Sequence, residues 1–140
     1  MRVLVTGQLG YIGSHPVQAL KAAGHDGVGV DLGLFLGCSG AKSARPDVEA
    51  LQDFREIPSS ALGQLDAIVH LAAISNDPMG ELDETLTKRV NALGTLELAG
   101  KAKKAGVPRF LFSSSCSLYG KGDGGYLSEK APLQPLSAYA

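Results

Sequence analysis

The chain has 140 residues, enough for one domain with a core of its own, and 44 % of them are hydrophobic, a globular rather than a disordered composition. A formal net charge of −1 gives no reason to expect nucleic acid or an anionic membrane as partner, and Cys38 and Cys116 are too few for a disulfide framework or a zinc-ligand set. Unpaired thiols, no signal-like opening and no apolar run of membrane length together give the expectation of a cytoplasmic protein.

The amino-terminal stretch organises the rest. Val3 to Thr6 form a short apolar and β-branched run suited to a buried parallel strand, and glycines follow at 7, 10 and 13. Gly7 allows a sharp turn out of the strand, Gly10 allows the backbone to approach a bound group, and Gly13 allows the next helix to lie close to the sheet. Amides opening that helix, around Tyr11 and Ile12, would face a pyrophosphate at the positive end of the helix dipole. No Gly-Lys-Ser/Thr closes the loop, which excludes a Walker site.

Val17, Leu20 and Ala23 then read as the inner face of a helix ending near Gly24. Pro16 lies beyond the first turn of a helix that starts directly after the loop, so a late start or a kink is expected. Gly27 to Leu32 is a second strand that carries Asp31 near its end, 24 residues after Gly7. An acid roughly 20 residues on accepts hydrogen bonds from both hydroxyls of an adenosine ribose and repels a 2′-phosphate, which favours NAD over NADP. Residues 32–47 read as a loop, followed by a weak apolar stretch and Asp53-Phe54-Arg55.

Ala67 to Ala73 is the clearest interior strand, leading into the polar turn Ile74-Ser75-Asn76-Asp77-Pro78. Ligands of open α/β sheets bind at this carboxyl edge, and small Ala72 and Ala73, with Leu71 and Ser75 beside them, suit a backbone lying against a cofactor. His70 lacks a second ligand at metal spacing and reads as a core histidine. From Glu81 to Ala105, Leu82, Leu86, Val90, Leu93 and Leu96 recur three or four apart, predicting one long amphipathic helix that stops at Gly106 and Pro108. Arg109 to Ser115 is the next strand.

Several of these segments carry a common resemblance. Thr6-Gly-x-x-Gly-Tyr-Ile-Gly-Ser14, Asn91-x-x-Gly94-Thr95 and Ser113-Ser-Ser115-Cys-Ser-Leu-Tyr119-Gly120 are similar to segments of the extended short-chain dehydrogenases/reductases, the NAD-dependent epimerase/dehydratase family. So is the lead into Tyr139 from Ser128-Glu-Lys-Ala-Pro132. The resemblance implies a Rossmann-type doubly wound parallel sheet of order 3-2-1-4-5, truncated after about five strands, with 1–140 an incomplete NAD-binding domain that lacks a carboxyl-terminal substrate region. It implies that Asp53 and Phe54 sit over the adenine, that Asn91 braces the catalytic region, and that Ser115 and Tyr139 are catalytic, acting on a nucleotide sugar. The lysine that the family places four residues after the tyrosine would be residue 143.

A phenol of pKa about 10 is ionised to roughly one part in a thousand at pH 7, and a nearby cation raises that fraction. Without the lysine the chain is expected to turn over little. A non-catalytic dinucleotide-binding module, or a piece that needs a partner chain, remains as the alternative. Strand 109–115 is expected to present an open edge, and the chain to self-associate.

Overall fold

In a computed structural model the described residues are 1–36, 45–122 and 124–140, so Cys38 and much of the loop predicted over 32–47 lie outside them. Five parallel strands form one sheet in the order β3-β2-β1-β4-β5, the expected Rossmann-type arrangement. The strands are β1 (Arg2–Thr6), β2 (Asp26–Asp31), β3 (Val48–Leu51), β4 (Ala67–His70) and β5 (Phe110–Phe112). β1, central and flanked on both sides, is buried along Val3 to Thr6, as its unbroken apolar run requires. One face of the sheet carries the main core, in which Leu4, Val30 and Ile68 meet Phe54, Ile57, Leu62, Leu98 and Ala102.

The helices are α1 (Ser14–Ala22), α2 (Ser59–Leu62), α3 (Asp77–Leu82), α4 (Glu84–Thr87) and α5 (Thr95–Lys104). α1 buries Val17 and leaves Ala23, its terminal cap, exposed. It starts at Ser14, so Pro16 is only its third residue. The N–H groups of a first turn have no intrahelical acceptor, and Pro16 therefore removes no hydrogen bond and no kink is needed.

The helix predicted from Glu81 to Ala105 is a correction. Asp83, with φ −149° and ψ 92°, ends α3 in an extended conformation and then caps α4, accepting the Leu86 N–H at 2.8 Å. Residues Lys88–Gly94 form a π-helical segment before α5. The buried positions are Thr87, Gly94, Leu98 and Ala102, with Val90 packed against the core, whereas Leu82, Leu93 and Leu96 are 85 %, 61 % and 69 % exposed. Small residues face the sheet because the backbone comes close: a Cβ at Gly94 would stand 3.0 Å from the Phe54 ring.

β5 is shorter than the predicted 109–115, and Ser113 to Ser115 leave the sheet. It ends the strand order, with β4 its only strand partner among the described residues, and Leu111 and Phe112 are exposed. The final segment does not cover that edge by strand pairing. Gln134 donates its N–H to the Leu118 carbonyl at 2.9 Å, and Ser137 reaches Asp77 at the start of α3. Among the described residues no helix is long and apolar enough to cross a membrane.

Candidate functional site

The carboxyl ends of β1, β4 and β5 open into a cavity of about 440 Å³, within the range of small-molecule sites. It is lined by the glycine loop (Gly7, Gly10, Tyr11, Ile12, Gly13), by the wall after β4 (Leu71, Ala72, Ala73, Ser75), and by Ser115 and Tyr139. Eleven of the fourteen expected site residues thus meet at one place, from four separate segments. Asp31, Asp53 and Phe54 lie outside that lining.

The loop is shaped by contacts that exclude side chains. Gly7 has φ +75°, and a Cβ on it would come within 2.8 Å of the Ala72 nitrogen. At Gly13 the same atom would strike the Gly7 carbonyl oxygen at 2.0 Å, so glycine is what lets α1 begin against the loop. At Gly10 the nearest protein atom would be 3.3 Å away, and the space beyond belongs to the cavity. The N–H groups of Tyr11, Ile12 and Gly13 find no backbone acceptor among the described residues, while Ser14 already donates to Gly10. An open recess beside free amides at a helix start fits a pyrophosphate.

Asp31 stands at the end of β2, where it accepts the Leu9 N–H at 3.0 Å through one oxygen and the Gly33 N–H at 2.7 Å through the other. Each oxygen keeps a lone pair for a further donor. Asp53 caps the short 3₁₀ turn Phe54–Glu56 and receives the Arg55 guanidinium at 2.6–3.1 Å. Those hydrogen bonds from Arg55 hold the Asp53 carboxyl below the ordinary carboxylate range despite partial burial. The Phe54 side chain, 6 % exposed, packs edge-on to His70 with ring centres 4.7 Å apart. Its ring is a core group, and any contact to a ligand would fall to its backbone.

His70 is a core histidine, as the sequence predicts, and also floors the cavity. Thr6 Oγ1 accepts the N–H groups of Leu71 and Ala72, both at 3.2 Å, so its own proton goes to His70 Nδ1 at 2.7 Å. The ring proton then sits on Nε2 and is donated to Thr95 Oγ1 at 2.9 Å. Burial pushes the His70 pKa down to about 4 and keeps the ring neutral. Asn91 braces the same wall, accepting the Ile74 N–H at 2.9 Å and donating to the Ile74 carbonyl at 3.0 Å. The Asn-x-x-Gly-Thr segment therefore supplies one residue to the wall, one close approach and one partner for His70. In the sequence Thr6 and Thr95 stood only as motif positions, and their pairing with a buried histidine shows only in the fold.

Ser115 caps the turn Cys116–Tyr119, accepting the Ser117 N–H at 3.2 Å and donating to Ser117 Oγ at 3.1 Å. Ser114 before it has φ +36°, a conformation that costs a non-glycine residue about 1–3 kcal/mol and turns the chain abruptly at the cavity rim. Among the described residues no cluster of three or more His, Cys, Asp or Glu could hold a metal ion.

The sequence profile of the NAD dependent epimerase/dehydratase family matches residues 3–140. The chain belongs to this family. As a member of the epimerase/dehydratase family it is 34 % identical to a UDP-glucose 4-epimerase of Azospirillum brasilense over 99 % of its own length and 40 % of that enzyme. A UDP-glucose 4-epimerase of Stenotrophomonas maltophila, solved with bound NAD and formylated UDP-arabinopyranose, superposes with a TM-score of 0.85 at 33 % identity, over 99 % of this chain and 44 % of that one. An NAD-dependent NDP-hexosamine 5,6-dehydratase of tunicamycin biosynthesis superposes with a TM-score of 0.88 at 25 % identity, over 99 % and 45 %. The chain thus spans less than half the length of these epimerase/dehydratase relatives.

Proposed function

We propose that this chain is the NAD-binding part of a nucleotide-sugar epimerase or dehydratase, with Ser115 and Tyr139 as its proton-transfer pair. One observation carries the reading. Ser115, at the turn after β5, and Tyr139, in the final segment, line the same cavity as the glycine loop although they are 24 residues apart in sequence. The loop amides and the start of α1 would take the pyrophosphate, Asp31 a ribose, the Asp53–Phe54 turn the adenine, and Leu71 to Ser75 the face between ribose and nicotinamide.

NAD, when bound, supplies a hydride acceptor and donor for a sugar carbon. The protein's part is orientation and proton transfer. Tyr139 would take the proton of the sugar hydroxyl, and Ser115 would hold that hydroxyl by turning its own proton from Ser117 Oγ to donate to the sugar oxygen. The neutral Thr6–His70–Thr95 chain keeps the wall amides fixed beneath the reacting groups.

NAD titration by calorimetry, followed by assay with UDP- and dTDP-linked sugars, tests the reading. The chain is expected to bind NAD, and Tyr139→Phe to bind it equally well, because the phenol belongs to the sugar side. Since it spans 40 % of the Azospirillum epimerase, the chain alone should show little turnover. Fused to the remainder of that enzyme it should gain activity that Tyr139→Phe lowers at least a hundredfold. Absence of NAD binding, or a chimera indifferent to Tyr139→Phe, would refute it.

A further inference from the structure

We propose that α3 is the seat that positions Tyr139, with Asp77 as a latch on Ser137 and Gly80 as the recess for the tyrosine backbone. The inference rests on the reading of Tyr139 as the proton-transfer group. Ser137 donates its hydroxyl proton to Asp77 Oδ1, and the Ala140 N–H donates back to the same Ser137 oxygen at 3.1 Å. Residues 137–140 are thereby wrapped around one hydroxyl, with Tyr139 inside the wrap and half-buried.

At Gly80 a Cβ would stand 3.1 Å from the Tyr139 Cβ and 3.5 Å from its nitrogen, so the bare glycine leaves the place where the tyrosine backbone rests. Gly80 is itself fixed. Its N–H donates to the Asn76 carbonyl at 2.9 Å, and its carbonyl accepts the hydroxyl of fully buried Thr87 at 3.0 Å. On the opposite rim, the Gln134 N–H bonds to the Leu118 carbonyl, three residues beyond Ser115. The final segment is thus tied at two points across the cavity, and Tyr139 lies near the second. A proton-transfer group displaced by even 1 Å loses rate steeply. Asp77 and Gly80 hold it from outside the segment. They are positioning residues, acting through Ser137 and the backbone.

The test uses the 140-residue chain labelled with ¹³C in its tyrosine rings, Tyr139→Phe assigning one of the four ring signals. A nuclear Overhauser contact between Tyr139 and the Gly80 α-protons is expected. Asp77→Ala and Ser137→Ala should each abolish it, whereas Ser137→Thr and Asp77→Asn, which keep a donor and an acceptor, should retain it. NAD affinity should stay within twofold and Tm unchanged in all four, which separates a lost latch from a damaged fold. An independent trap pairs Gly80→Cys with Tyr139→Cys, expected to oxidise to an intramolecular disulfide that adding Ser137→Ala slows at least tenfold. Persistence of the contact in both alanine variants, its absence from the unaltered chain, or failure of the cysteine pair to close would overturn the seat. None of these measurements depends on turnover, so the seat and the catalytic reading of Tyr139 can fail separately.

Discussion

Lowering the pH from 7 towards 4 loads the Thr6–His70–Thr95 chain directly, because His70 Nδ1 must stay unprotonated to receive the Thr6 proton. In the unfolded chain the imidazole titrates near its ordinary 6.5, whereas burial pushes it down to about 4 in the fold. Between those values the unfolded state binds a proton that the folded state refuses. The stabilisation is therefore complete above pH 6.5 and is lost as the pH falls through about 4. At 1.36 kcal/mol per decade, that interval is worth about 3 kcal/mol, a large share of the roughly 5–15 kcal/mol that holds a domain folded. His70, 1 % exposed, has little solvent to soften the effect. Urea unfolding at intervals from pH 7 to 4 measures it, with His70→Asn as a non-titrating reference that cancels the carboxylates and the other histidines. The unaltered chain should lose about 3 kcal/mol more than the reference over that range. Parallel pH profiles, within about 0.5 kcal/mol of each other, would refute the account of a neutral, network-bound imidazole.

Cofactor choice follows from Asp31: NAD should bind at least tenfold more tightly than NADP, about 1.4 kcal/mol, and Asp31→Asn should shrink that ratio on titration with both; equal affinities for the unaltered chain would remove Asp31 from the role. Gly13→Ala places a methyl 2.0 Å from the Gly7 carbonyl oxygen, and should cost about 1–3 kcal/mol in urea unfolding together with most of the NAD affinity. The open edge of β5 and the exposed Leu82, Leu93 and Leu96 should make the chain self-associate, which sedimentation over a concentration series checks; a monomer at high micromolar concentration would contradict it.

The central strands were readable because each is a short apolar run followed at once by small or polar residues, as in Val3 to Gly7 and Ala67 to Ala73, whereas β3, interrupted by Glu49, showed only as a weak apolar stretch. The glycine loop was readable because its spacing answers to contacts local in sequence, Gly13 against Gly7. The 81–105 segment was not. Its leucines give a strong helical period, yet Leu82, Leu93 and Leu96 face outwards, and the close-packed positions are Thr87 and Gly94, which no hydrophobicity scale marks. The inward placement of Phe54 was equally hidden, since only the approach of Gly94 and His70 from distant segments encloses its ring. Pro16 needed neither a late start nor a kink, because a helix that begins at Ser14 already holds it in the first turn.

The π-helical stretch Lys88–Gly94 also governs where the chain can tolerate insertion or deletion. An α-helix turns about 100° per residue, so the wider turn resets the phase between the face that presents Thr87 and the face that presents Thr95, Leu98 and Ala102. Removing one residue there is absorbed by a return to ordinary α winding, whereas an added residue meets a turn already widened and swings everything downstream by about a quarter of a revolution, carrying Thr95 away from His70 and Leu98 out of the core. Insertions among related sequences should accordingly be purged from this stretch.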